Sequence, residues 1–485
     1  MSFIPITMPS VEESKPVENT MPSVEESKPV DSRQLININN LPVEMLMEIF
    51  KNLSAEDLLI LSHVCRHWYW IAHEVGTRLP FENRILDITR CRHNIQNIEQ
   101  VILGNYWPKL YLAITKQINF RGRGFPEILE ILGQVYILNL SGCGQIVDVS
   151  ALRNVHTLNL SGCESVVDVS ALGNVHTLNL SECNNVVDVS ALGNVYNLNL
   201  SECDSLIKGP KCYNVHTLNF SNCASLFDVS ALGNVHTLNL SGCEQVVDVS
   251  TLGNVHTLNL SGCNNVVDVS ALGKVYNLNL NSCKQVVDVS ALGNVHALNL
   301  YKCTRVIDVS ALGNVHTLYL SWCKQVSDVS ALGNVHTLDL SWCNNVIDVG
   351  ALGSIHTLNL SGCYELVDVS ILGSVHTLNL SYCDNVVDVN MLGGVHTLNL
   401  SYCSNIVDVS MLGGVHTLNL CNCINVVDVS ALGSVHILDL NRCYSVKDVS
   451  MLGKVDTLTL NKKSDLDISA LGGVNTLIQK NPWNL

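Results

Sequence analysis

The sequence predicts an α + β-solenoid fold, a short helical domain followed by a solenoid with a parallel β-sheet and 20-residue coils, and three observations lead there. A 20-residue unit recurs from Val135 to about Val474, with cysteine at Cys143, Cys163, Cys183 and every twentieth position to Cys443, without an insertion or deletion. Spacing this strict is the mark of stacked repeats that bury one continuous core. Within each unit a block such as Thr157-Leu158-Asn159-Leu160-Ser161 alternates polar and apolar residues, as a strand with one buried face does. Before the repeats, apolar residues from Leu35 to about Glu74 fall at helical spacing.

Taken in order, residues 1–34 form a tail that copies MPSVEESKPV at Met8–Val17 and again at Met21–Val30. Its Pro, Glu and Ser content gives it too little apolar surface to fold, so disorder is expected. Residues 35–80 carry two or three short helices, interrupted at Ser54-Ala55-Glu56-Asp57, where Ser54 is placed to cap the next one. Residues 81–134 read as a linker and a degenerate first repeat. Ile118-Asn119-Phe120 stands 20 residues before Leu138-Asn139-Leu140, which puts that first coil at about 115–134. The array of about 17 coils occupies 135–474, and 475–485 is the C-terminal end.

In each coil the strand is expected to point Leu158 and Leu160 inward and Thr157, Asn159 and Ser161 outward. Asp168 then precedes Val169-Ser170-Ala171-Leu172, and its carboxylate is positioned to accept backbone N–H groups two and three residues on, opening a helical turn that Gly173 ends. One coil departs from the pattern: Lys208-Gly209-Pro210-Lys211-Cys212-Tyr213 replaces Asp-Val-Ser-Ala-Leu-Gly, and Pro210 with the missing Asp should disrupt its helical turn.

Composition narrows the function. Hydrophobic residues make up 47% of the 485 residues but aromatics only 5% and charged residues 14%, which suits thin regular layers. Mean hydropathy is +0.25, yet polar residues interrupt every apolar stretch before the roughly 20 residues a membrane-spanning helix needs. Met1–Val17 has neither a basic start nor an apolar centre, so a cytoplasmic or nuclear protein is expected. A net charge of −16 opposes phosphate backbones, so no nucleic-acid or membrane partner is expected.

The unit Val155-x-x-Leu158-x-Leu160-x-x-Cys163 resembles the leucine-rich repeat. Ahead of it, Leu41, Pro42, Glu44, Met45, Leu46, the Ile49-Phe50 pair, the Asp57-Leu58 pair, Val64-Cys65-Arg66, Trp68 and Ile71 resemble an F-box. The resemblance implies a non-catalytic substrate receptor of a Skp–cullin–F-box ubiquitin ligase. Leu41, Pro42, Met45, Leu46, Ile49, Phe50, Leu58, Val64, Cys65, Trp68 and Ile71 would then dock on the Skp adaptor, and through it cullin, while the repeats hold a protein substrate. The alternative is a scaffold or decoy that occupies the adaptor without causing degradation. The near-identity of the coils also resembles the F-box repeat families of large DNA viruses and some protists.

The recurring columns invite chemistry and are read more simply. Parallel cysteines seldom meet disulfide geometry, and a single file offers zinc ligands from one direction only, so the column is read as apolar filler. Histidine from His156 to His436 is read as a partly exposed flanking position, and Asp148 to Asp448 as turn-capping carboxylates. No nucleophile–base constellation stands out, and neither a metal nor any other cofactor is expected.

A partner site must differ from its surroundings, and one stretch does. Tyr301, Lys302, Arg305, Tyr319, Trp322, Lys324, Trp342, Tyr364, Tyr382 and Tyr402 replace small polar residues, and Tyr, Trp and Arg are the types enriched in binding hot spots. They are the candidate substrate-binding residues, with the coil at Lys208–Tyr213 as the second choice.

Overall fold

In the computed structural model the described residues are 129–130, 132–144, 146–462 and 466–480, together with the strands Ile85–Asp87 and Tyr111–Ala113. Residues 1–80, with the tail expected to be disordered, the segment 35–80 expected to be helical and all the residues expected to dock on the adaptor, lie outside them.

The chain winds into a solenoid whose twenty described strands form one parallel sheet. Each strand pairs with the next in chain order, and identical columns stand opposite one another: Leu138 beside Leu158, Leu158 beside Leu178. Most strands are three residues long, such as Thr157–Asn159, and Leu160 N–H extends the ladder by donating to Asn179 O at 2.8 Å. The core holds seven residues per coil, represented by Val155, Leu158, Leu160, Cys163, Val166, Val169 and Leu172, each at most 1% exposed. Burying an aliphatic side chain of this size stabilises by about 1.5–3 kcal/mol. Because no coil can bury its own faces alone, that stabilisation exists only between neighbours.

The cysteine column lies inside this core. Cys163 Sγ–H donates to Leu140 O of the preceding coil at 3.2 Å, and the same bond recurs at Cys183, Cys323 and Cys403. The position therefore takes a small apolar group with one weak donor. Burial pushes the Cys163 thiol up to about 12, far from the thiolate a reactive or metal-binding cysteine needs.

After the core turn, Asp168 Oδ1 accepts Ser170 N–H at 2.8 Å, and a 3-10 turn runs Ser170–Leu172. The cap thus reaches the residue two on, and the element is 3-10. Gly173 corrects the expectation more deeply. Its φ of −61° is ordinary right-handed backbone, so it is not a left-handed helix stop. A Cβ there would lie 2.4 Å from Ala191 O of the next coil. Glycine here answers the close approach of coils rather than a left-handed conformation.

The ends also differ from expectation. The strand beside Ile137–Asn139 is Tyr111–Ala113, which itself pairs with Ile85–Asp87. Ile118-Asn119-Phe120, expected in a first coil at about 115–134, lies outside the described residues. The sheet thus begins in longer coils, with Tyr111 26 residues from both Ile85 and Ile137. At the other end Thr457 pairs with Thr476, a step of 19 in which both strands lengthen to five residues. In the irregular coil no 3-10 turn forms between Asn197–Asn199 and Thr217–Asn219; Lys208 instead forms an isolated bridge with Asp228.

Candidate functional site

The site is built at one repeated turn. Leaving the strand, the chain must reverse so that Cys163 can re-enter the core, and it does so through Leu160-Ser161-Gly162-Cys163, closed by Cys163 N–H donating to Leu160 O at 3.1 Å. The third residue of this turn has positive φ in coil after coil: Gly162 at 67°, Asn222 at 59°, Gly262 at 75°. Glycine and asparagine suit such a position. The same φ is held by Lys302 (58°), Trp322 (62°), Trp342 (61°), Tyr382 (62°) and Tyr402 (63°). A left-handed backbone costs an L-residue about 1–2 kcal/mol, and bulky side chains there are outliers. Five coils out of six keep that cost between 302 and 402.

Part of it is offset by stacking along the ridge. The rings of Trp322 and Trp342 stack with centroids 5.2 Å apart and planes at 18°. The Trp342 indole leans over Gly362, where a Cβ would stand 2.8 Å from its ring, and reaches Tyr382 at 6.2 Å. Tyr382 and Tyr402 stack at 4.5 Å and 9°. Tyr364 meets Trp342 edge-on at 5.7 Å. Such pairs contribute about 0.5–1.5 kcal/mol beyond the area they bury. Ser321, Ser341, Ser381 and Ser401, under this row, are buried.

Cations close both ends of the ridge. Lys302 Nζ lies 4.9 Å from the Tyr301 ring and 6.0 Å from Trp322, and Lys324 Nζ lies 4.9 Å from Trp322. At the far end Arg442 Nη1 donates to the Tyr402 hydroxyl at 3.3 Å. Burial, then the neighbouring Tyr402, holds the Tyr382 hydroxyl above its usual range. Because the ring faces cover one another, the ridge offers a partner ring edges, indole N–H groups, phenol hydroxyls and ammonium groups.

The structure therefore brings together eight of the ten candidate residues and separates two. Tyr319 sits on the strand face, lining a shallow depression of about 370 Å³ with Asn279, Ala297 and Asn299. Arg305 turns to Gln285 of the preceding coil. Sequence reasoning placed Gly362 in this column but missed that it makes room for Trp342, and it missed Arg442, which extends the row. The alternation of Gly, Asn and bulky residues in one column was the available signal. It also missed an exposed apolar row, including Val167, Ile207, Phe227 and Ile347, 49–62% exposed beside the Asp column, because Val-Val-Asp-Val reads as core.

Residues 38–75 match the F-box-like family. Among solved structures, an internalin (InlF) of Listeria monocytogenes is 20% identical, covering 66% of this chain and 83% of its own, with a TM-score of 0.36. The functional domain of InlJ from the same organism, described as including a cysteine ladder, is 19% identical over 66% and 72%, with a TM-score of 0.42. A leucine-rich-repeat protein of Leptospira interrogans is 17% identical over 70% and 92%, with a TM-score of 0.41. No curated protein matches the sequence. An F-box-like match ahead of a parallel-β solenoid supports a protein-interaction adaptor.

Proposed function

We propose that this chain is the substrate-recognition subunit of a Skp–cullin–F-box type ubiquitin ligase, acting in the cytoplasm or nucleus. Residues 38–75 dock on a Skp-type adaptor, and the ridge from Lys302 to Tyr402 binds the protein to be ubiquitinated. The observation that carries this reading is the pairing of the F-box-like match with a ridge that keeps Trp and Tyr in backbone suited to glycine. Residues held at a conformational cost cluster at functional sites. Aromatic edges flanked by Lys302 and Lys324, within a chain of net charge −16, suit an acidic segment with apolar side chains.

The test is affinity capture of the full chain from cells with and without proteasome inhibition. Adaptor and cullin should co-purify, together with a partner that accumulates only under inhibition. Changing Ile49 and Trp68 to Ala should remove the adaptor and keep the partner, since a buried interface anchor typically contributes about 2–4 kcal/mol. Changing Trp322 and Trp342 to Gly, the residue native at 362, should do the reverse. Adaptor without cullin would identify a decoy, and capture of neither would overturn the proposal.

A further inference from the structure

A second row of rings runs along the solenoid, one position before the strand. From Tyr136 through His156 and His176 to His416, neighbouring rings stack with centroids 4.3–5.0 Å apart. Thirteen of its members are histidine. Tyr196 and Tyr276 divide these into runs of two (His156, His176), three (His216 to His256) and eight (His296 to His436). In the long run, Nδ1 of His316, His336, His356, His376, His396 and His416 lies 3.2–3.3 Å from the hydroxyl of the following threonine. When Nδ1–H donates to that oxygen, the lone pair is on Nε2. This is the arrangement in which histidine ligates metals, its second nitrogen fixed by a hydrogen bond.

Among the described residues no three His, Cys, Asp or Glu side chains are grouped as a metal site; within the row each imidazole stacks on the ring of the coil before and after it, so neighbours meet in pairs. Zinc–imidazole bonds are about 2.0–2.1 Å, and parallel rings 4.6 Å apart cannot both reach one ion without tilting. One pair is already tilted: His416 and His436 are inclined by 43° with centroids still at 4.6 Å, where His436 Nε2 lies 3.4 Å from Asp456 Oδ2. Exposed rings can adopt such a tilt without disturbing the core beneath. We propose that neighbouring histidines of this row bind borderline divalent cations, of which Zn²⁺ is the type, one ion between two adjacent coils. This site is independent of the F-box reading. The tyrosines then set the capacity: one pair in the first run, one in the second and four in the third, about six ions per chain.

The experiment titrates the full chain with Zn²⁺ by calorimetry and compares two variants that each lose four histidines to tyrosine, a residue already stacked in this column at 196 and 276. Replacing His316, His356, His396 and His436 leaves no adjacent pair in the long run and should remove four ions. Replacing His296, His316, His336 and His356 leaves two pairs and should remove two. Equal losses in the two variants would show histidines acting singly and overturn the proposal, as would the absence of binding to the unaltered chain. If circular dichroism shows either variant unfolded, the same contrast is read from doubles. His356→Tyr with His396→Tyr should cost two ions, His336→Tyr with His356→Tyr one, and equal losses again overturn it.

Discussion

Two neighbouring positions of the coil have opposite histories. The turn position represented by Gly162 holds Gly, Glu, Asn, Ser, Lys, Trp, Tyr or Arg in different coils, while the next position holds Cys in all sixteen from Cys143 to Cys443. Both belong to the same turn with the same hydrogen bond. What separates them is direction: the first side chain meets solvent and the side chain one coil away, and the second fills a closed space and donates to a carbonyl. The solenoid thus confines variation to a ridge, and the ridge is where its surface acquires character.

The largest test of that contrast moves one residue type across it. Glutamate is native on the ridge at Glu182 and Glu202 with φ of 61° and 58°, so Trp322→Glu should cost only about 1–2 kcal/mol, the loss of its ring stack. Cys323→Glu, one residue later, places a carboxylate where the native side chain is 0% exposed. An unpaired buried charge costs several kcal/mol, so thermal unfolding should shift by many degrees or split into two transitions around that coil.

A smaller effect is expected within the ridge. At Gly362, φ is 72° and a Cβ would collide with the Trp342 indole, so Gly362→Ala should lose about 1–2 kcal/mol from the backbone alone. It should also displace the ring from the row, which tryptophan fluorescence reads. An unchanged spectrum would mean that the row is not continuous through Gly362.

The smallest effects are those of pH. Backbone hydrogen bonding from Ser170 holds Asp168 below its ordinary 3.8, and the pattern recurs at Asp288 and Asp408. The unfolded chain takes up these protons first, so the stabilisation is present above about pH 3.8 and is lost as pH falls through the folded-state values. For His376, desolvation and then His356 and His396 hold the ring below its ordinary 6.5. Protonation again favours the unfolded chain, and stability should fall as pH drops below about 6.5. Melting temperature against pH should therefore show two descending windows. Asp168→Asn, which keeps the acceptor, should shrink only the acidic one.

Much of the fold was legible because a fixed period turns residue number into position. Leu158, Cys163 and Leu172 could be assigned to the core, and His156 to a partly exposed row, from the 20-residue step alone. The first strands were not legible, since Ile85–Asp87 and Tyr111–Ala113 carry none of the markers that define the period. Of the candidate site, the column that sets Trp322 beside Trp342 and continues to Tyr382 and Tyr402 was legible, but not that Tyr319 and Arg305 turn away from it.

The sequence by itself determined the repeat, its columns and the stretch where the columns change character. Only the tertiary structure decided that Gly173 answers a carbonyl in the next coil, that Trp322 and Tyr382 stand in left-handed backbone, and that Tyr319 and Arg305 face elsewhere. The physical reason is that a column is a property of one chain's period, whereas a clash, a stack or a tilt arises between atoms of successive coils. Their separation depends on how closely every coil packs on the next.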